Sequence, residues 1–268
     1  MEEVPKIQLP KWLDDLIFKD LGANYCRQNA NMTNIDDDKE RALNYLGTYF
    51  PRSYAEAYIL FSALFEEERQ SFIGKNELSV FDFGCGTGGE IIGLLTAIEE
   101  KLPNIKKVTI DGFDGNQISL RYCDNIVNKF RNNKSLQVVF YPIPKKIDDF
   151  YDFSVINSTL SENYDLIITF KAICELVTKQ QFEQKNPYEY IVDNLLRKLQ
   201  SNGFMVLVDV TVYSNVTEQW LPNMMDKGLK AIQGVVINKN QQYNQAIYVS
   251  HSHKENDISK IAWRIITQ

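Results

Sequence analysis

Asp82-Phe83-Gly84-Cys85-Gly86-Thr87-Gly88-Gly89-Glu90 joins the apolar run that ends at Phe83 to the amphipathic stretch Glu90 to Lys101. A strand that ends in four glycines within six residues and passes at once into a helix is more than a turn, for which one glycine serves. Glycines there permit positive φ and let a ligand touch the backbone, beside helix-terminal N–H groups that have no intrahelical partner.

Outward from this segment, Leu78 to Phe83, Val108 to Phe113, Leu136 to Tyr141, Tyr164 to Phe170 and Phe204 to Val210 are apolar runs of strand length. They alternate with helical patterns over Glu90 to Lys101, Gln117 to Phe130 and Pro187 to Leu199. Such alternation builds βαβ units, and so a mainly parallel sheet with helices on both faces, a three-layer α/β sandwich. A helix over Met224 to Ile232 is followed by Val235 to Asn238, Ala246 to Ser250 and Ile258 to Ile266, whose short polar joins predict a hairpin-connected, antiparallel finish. Residues 1–72 read as a helical extension and 73–268 as the sheet domain. In the extension, Trp12 to Gln28 is one predicted helix. A second, entered at Pro51 or Ser53, carries Tyr54, Ala57, Tyr58, Leu60, Phe61, Leu64 and Phe65 at three- and four-residue spacing. Asp36-Asp37-Asp38 is placed to cap a helix over Glu40 to Leu46.

Gly84, Gly86 and Gly89 satisfy GxGxxG, so a nicotinamide dinucleotide has to be weighed. Asp82 decides against it. An anion two positions before the first glycine repels a pyrophosphate and complements an ammonium group. Asp114, ending the next strand in Gly112-Phe113-Asp114-Gly115-Asn116, is placed to accept the hydroxyls of a ribose, with Asp111 in the same strand as second candidate. A cationic amino acid joined to a ribose describes S-adenosylmethionine.

Asp82-Phe83-Gly84-Cys85-Gly86-Thr87-Gly88 resembles the first motif of the class I S-adenosylmethionine-dependent methyltransferases, and Gly112-Phe113-Asp114 resembles their second. The resemblance implies a Rossmann-like, seven-stranded sheet whose last strand is antiparallel, and it implies S-adenosyl-L-methionine as cofactor. It further implies a cofactor site of Asp82, Gly84, Cys85, Gly86, Thr87 and Gly88 on the first loop, Asp114, Gly115 and Asn116 on the second, and Phe170. Within that site Asp82 orients the methionine and Asp114 holds the ribose. Phe140 to Asp149 replaces the family's usual strand-plus-acid pattern, which leaves Ile143, Asp148 and Asp149 as adenine candidates.

Ligands in open parallel sheets lie beyond the carboxyl ends of the strands, so Thr169 to Val177 is expected to face the methyl. It holds no Asn-Pro-Pro-Tyr tetrapeptide, and Cys174 stands in no Pro-Cys pair, which argues against base-nitrogen and cytosine-5 methylation; Cys174 reads as a small buried residue. Glu175-Leu176 is similar to a Glu-His pair of small-molecule members, with leucine in the histidine's place. Glu175 and Lys171 are the catalytic candidates, and Asp209 is a candidate to face the substrate. Tyr49, Arg52 and Tyr54, in an aromatic segment ahead of the first motif, are candidates for a lid that excludes water. His251 and His253 read as an exposed pair at a strand end, with no metal assigned. Tyr45 to Tyr54 and Ser259 to Arg264 are also similar to the mitochondrial small-subunit ribosomal methyltransferase-like family, whose cysteine-rich iron–sulfur signature is absent.

Lys plus Arg number 29 against 35 Asp plus Glu, a net charge of −6, without a long basic run, so the composition disfavours a phosphate-backbone binder. No apolar run approaches the ~18 residues of a membrane span, and the four cysteines lie far apart without a CxxC, which fits reduced thiols in the cytoplasm. The expectation is a cytoplasmic methyltransferase acting on an O or N nucleophile of a small molecule or a protein side chain. The alternatives are a methyltransferase-like binding or assembly protein without turnover, and an RNA methyltransferase.

Overall fold

The computed structural model describes residues 4–26, 37–132, 134–160, 163–214, 219–237 and 242–267. Asp36, Arg27 and Gln28, and Asn238, each at an edge of a predicted stretch, lie outside the described residues.

In chain order the elements are β1 (Lys6–Gln8), α1 (Lys11–Asp15), α2 (Lys39–Glu67), β2 (Glu77–Phe83), α3 (Gly89–Lys101), β3 (Lys107–Asp114), α4 (Gln117–Arg131) and β4 (Gln137–Pro144). They continue with α5 (Ser154–Thr159), β5 (Tyr164–Phe170), α6 (Ile173–Leu176), α7 (Lys179–Gln184), α8 (Pro187–Leu195) and β6 (Leu199–Val210). The chain closes with β7 (Tyr213–Ser214), β8 (Gln219–Trp220), α9 (Leu221–Ala231), β9 (Val236–Ile237), β10 (Gln242–His251) and β11 (Lys254–Thr267).

The main sheet has the order β1-β10-β11-β6-β5-β2-β3-β4, with β9 also on β11. β4, β3, β2, β5 and β6 run parallel, and β11 is antiparallel to both β6 and β10. Those seven strands are the predicted sheet with its antiparallel last strand. Among the described residues two short strands bring the count to nine: β1, parallel to β10 at the edge, and β9, antiparallel to the end of β11. Strands of three and two residues are too short for periodicity to reveal them.

β5 is buried along its whole length, as a central strand covered on both faces must be. One apolar layer joins α2, α3 and α4 to the sheet, through Phe61, Ile91, Leu94 and Ile126 among others; the other joins α5, α8 and α9, through Phe153, Tyr188, Ile191 and Met225. The helical extension belongs to the first layer. α2 lies directly on α3 because α3 presents Gly93 at the crossing, where a Cβ would come 2.4 Å from the Tyr54 carbonyl oxygen.

Two predicted helices differ. α2 is one helix of 29 residues that runs through Pro51, where two were expected, and Asp38 caps it by accepting the Arg41 amide at 2.7 Å. Pro51 is buried within α2, whose neighbours Phe50, Ser53 and Tyr54 pack on α3, so tertiary contact overrides the break that proline favours in isolation. The predicted Trp12 to Gln28 helix is cut to α1 and a π-helical turn over Leu16–Asp20, since Gly22 has φ +72°. Among the described residues no helix is long and apolar enough to cross a membrane.

Candidate functional site

The strand order reverses between β2 and β5, and a crevice of about 270 Å³ opens there beyond their carboxyl ends. Its floor is the β2–α3 loop, where Gly84, Gly86 and Gly88 have φ of +79°, +48° and +82°. A Cβ on Gly84 would come 2.3 Å from that of Ala172 after β5, and one on Gly88 would come 2.5 Å from the Cys123 sulfur. The loop therefore hugs its neighbours, and only Gly84 and Gly86 present backbone to the crevice. Cys85, Thr87 and Gly88 are buried beneath and do not line it.

Asp114, Gly115 and Asn116 form the wall after β3. Asp114 accepts the Gly86 amide at 2.8 Å on one oxygen and the Asn116 amide at 2.7 Å on the other, so it ties the two ligand-facing loops together. Each oxygen keeps a second lone pair. Burial raises its carboxyl to about 6, against the pull of those two amides. Asn116 caps α4 by accepting the Ser119 amide at 3.0 Å. Asp111 is three positions before Asp114, hence on the opposite strand face, and takes the Tyr164 hydroxyl.

Asp82 lies beneath the loop, fully buried, and neither carboxylate oxygen has a hydrogen-bond partner among the described residues. Burial, with the acids Glu90 and Asp114 close by, raises its carboxyl well above the usual range. Glu90, in the first turn of α3, is likewise buried and raised. An unpartnered buried carboxylic acid under a glycine loop fits a cationic group above it.

Beyond β5, Phe170, Lys171, Glu175 and Leu176 face the crevice. Lys171 holds φ +60°, a conformation that costs a non-glycine residue energy and concentrates at functional sites. Its ammonium lies 2.7 Å from Glu56 of α2, both side chains being buried, and the other Glu56 oxygen takes the Ser259 hydroxyl. Glu175 accepts the Tyr45 hydroxyl at 3.4 Å. Burial raises the Glu175 carboxyl to about 7, opposed by Lys171. Ile147 and Asp148 line the far end with Lys145 and Lys146, whereas Ile143 is within β4 and Asp149 is taken by the Gln181 side chain at 2.8 Å.

Several predicted residues are placed elsewhere. Arg52 is engaged away from the crevice, two of its nitrogens each 2.8 Å from an Asp257 oxygen on β11. Tyr54 is buried against Tyr58. Tyr49 packs against Tyr45 with tilted rings whose centroids are 4.6 Å apart, and of these α2 aromatics it is Tyr45 that lines the crevice. The lid candidate Arg52 is thus a clamp between α2 and β11, because Asp257 offers it a buried partner. Asp209 is buried under the Tyr188 hydroxyl at 2.8 Å and does not line the crevice. Cys174 is half-buried and donates to the Lys171 carbonyl at 3.1 Å. His251, expected exposed, is buried, with its ring stacked 5.1 Å from that of Phe18; His253 is exposed and stacks on the same ring at 4.2 Å.

Tyr45 and Glu56 were missed, although the pattern that finds them is in the sequence. Tyr45, Tyr49, Arg52 and Glu56 follow four- and three-residue spacing, one face of a continuous α2.

No family model and no curated protein matches the sequence. Solved structures do. The structure of magnesium protoporphyrin IX methyltransferase (ChlM) from Synechocystis PCC 6803 with bound SAM aligns over 96% of this chain and 90% of that one, with a TM-score of 0.50 and 12% identity. The chain has the class I methyltransferase fold. Trans-methyltransferase CalH in complex with SAH aligns over 83% of this chain at a TM-score of 0.48 and 13% identity, and DszA carbon methyltransferase over 84% at 0.47 and 15%. These two alignments cover 59% of CalH and 56% of DszA.

Proposed function

We propose that the protein is an S-adenosylmethionine-dependent methyltransferase, with the cofactor in the crevice between β2, β3 and β5, acting on an O or N nucleophile of a small molecule or a protein side chain. The observation that carries this reading is Asp114, which is held by the Gly86 and Asn116 amides at the end of β3 with lone pairs left for a vicinal diol.

Each residue then has a definite task. Asp114 accepts the ribose hydroxyls, and charge-assisted bonds of this kind contribute on the order of 1.5–3 kcal/mol each. The backbone of Gly84 and Gly86 meets the methionine part. Asp82, one layer below, is an unpartnered acid that a cationic amino acid above it would draw into its ionised form and that would repel a pyrophosphate. Ile147 and Asp148 bound the adenine end. When bound, S-adenosylmethionine supplies a methyl group on a positively charged sulfur. Lys171 would oppose such a charge if free, and Glu56 neutralises it. Phe170, Leu176 and Tyr45 hold the acceptor beside the methyl and exclude water, so that proximity and orientation carry most of the acceleration.

A net charge of −6 and the absence of a long basic run support a small molecule or a protein side chain over naked nucleic acid. The test is production of S-adenosylhomocysteine from S-adenosylmethionine with panels of small-molecule and protein acceptors. Turnover with either panel supports the reading, and turnover confined to RNA would replace it.

A further inference from the structure

At the inner end of the crevice Glu175 has no ion-pair partner among the described residues. Lys171 is the cation at that end, and its ammonium is bound at 2.7 Å to Glu56, whose second oxygen is held by Ser259. Lys145 and Lys146 line the opposite end, on the exposed segment after β4, where Lys145 donates to the Thr159 hydroxyl at 3.0 Å and Lys146 lies 3.6 Å from Asp37. Glu175 is left facing the space between Phe170, Leu176 and Tyr45, and among the described residues its carboxylate accepts a neutral hydroxyl, that of Tyr45. Beneath the glycine loop lie the buried acids Asp82 and Glu90, and neither Asp82 oxygen has a hydrogen-bond partner among the described residues.

A carboxylate or phosphate brought here would meet Glu175 with no free cation among the described residues to receive it. An alcohol would find one acceptor and no charge to complement. An ammonium fits both the charge and the geometry, and the aromatic ring of Tyr45, backed by Tyr49, suits the apolar body that carries it. We propose that the methyl acceptor is an amine on an apolar body and that Glu175 takes its proton, an inference that rests on the crevice being a methyl-transfer site.

The step balances as follows. The ammonium gives one proton to the Glu175 carboxylate, which frees the nitrogen lone pair. The lone pair forms the new nitrogen–carbon bond to the methyl as the carbon–sulfur bond breaks, its electrons passing to sulfur and cancelling the positive charge there. The product leaves as a methylated ammonium, and Glu175 returns its proton to water. The groups that act on the Glu175 charge are Lys171 after β5, Asp114 of β3, Tyr45 of α2 and Asp209 of β6. Lys171 favours its ionised form and the two aspartates disfavour it, as a base poised between its two states requires.

The experiment is calorimetric and needs no turnover. Wild type is first titrated with S-adenosylhomocysteine. The saturated protein is then titrated with phenethylamine, 2-phenylethanol and phenylacetate, matched in body and different in head group, and with Nα-acetyl-lysine amide. The amine is expected to bind at least about tenfold more tightly than the alcohol or the carboxylate. Glu175→Gln should remove that preference and leave S-adenosylhomocysteine affinity within about twofold. Preference for the lysine derivative supports an amine presented by a protein, and preference for phenethylamine supports a small molecule. Circular dichroism checks the variant; if Glu175→Gln does not fold, Glu175→Asp replaces it, with the same loss expected because the shorter carboxylate cannot reach. Failure to bind S-adenosylhomocysteine overturns the methyl-transfer reading and this inference with it. If S-adenosylhomocysteine binds but the alcohol or carboxylate equals the amine, or no probe binds at millimolar concentration, the amine inference alone falls.

Discussion

Lys171 and Glu56 form a buried ion pair, 2.7 Å apart, between the end of β5 and the middle of α2. One member lies at the inner end of the crevice and the other in a helix that precedes the first glycine motif. The pair therefore does two things: it fastens the extension to the sheet, and it removes from the crevice a cation that would repel a sulfonium.

Removing one partner should cost stability heavily, because the other is left charged without compensation. Glu56→Ala is expected to lower the unfolding free energy by about 3–5 kcal/mol in a denaturant titration. A loss below about 1 kcal/mol, the range of an exposed pair, would show that the ammonium finds water instead.

Arg52 belongs to the same face of α2 and the same structural task. Arg52→Ala leaves Asp257 buried without its guanidinium, and a loss of about 3 kcal/mol is expected with S-adenosylhomocysteine affinity unchanged. Weakened binding of S-adenosylhomocysteine in a stably folded Arg52→Ala would return this residue to the crevice.

The pH dependence of stability has two limbs. Burial works to raise the Asp257 carboxyl, but His251 and Arg52 outweigh it and hold the group at about 2, so its contribution is present above the usual carboxylate range and is lost as pH falls toward 2. Asp114 and Glu175 are raised by burial to about 6 and about 7, so above the usual carboxylate range the folded state holds protons that the unfolded state has released, and stability falls as pH climbs from that range up to about 7. Thermal unfolding without ligand should therefore peak at about pH 4, in the usual carboxylate range. Asp257→Asn should flatten the acid limb only, and a peak above pH 7 in the wild type would contradict the assignment of Asp114 and Glu175.

Much of the fold was legible because its strands are continuous apolar runs, and the order from β2 to β6 follows directly from their alternation with helices. The glycine loop and Asp114 were legible for the same reason: their chemistry lies in adjacent residues. What could not be read comes from distant pairs. Arg52 and Asp257 stand 205 positions apart, and Lys171 meets Glu56 only because α2 continues through Pro51. A break predicted at Pro51 hid the stripe from Tyr45 to Glu56, and with it the residue that walls the crevice. β1 and β9 are held by pairing with longer strands, so their own sequences say little.

Asp114 sets the ribose contact apart from Asp111. Asp114→Ala should weaken S-adenosylhomocysteine binding at least about tenfold, the loss of one charge-assisted bond or more, and should also loosen the loop that Gly86 anchors. Asp111→Asn, on the opposite face beneath Tyr164, should leave the affinity unchanged. The reverse order of effects would move the ribose to the other face of β3.

The most direct test of the central claim is a calorimetric titration of the purified protein with S-adenosylhomocysteine and, separately, with NAD. The account predicts saturable one-to-one binding of S-adenosylhomocysteine, abolished or greatly weakened in Asp114→Ala, and no heat of binding with NAD. Micromolar binding of NAD with none of S-adenosylhomocysteine would contradict it.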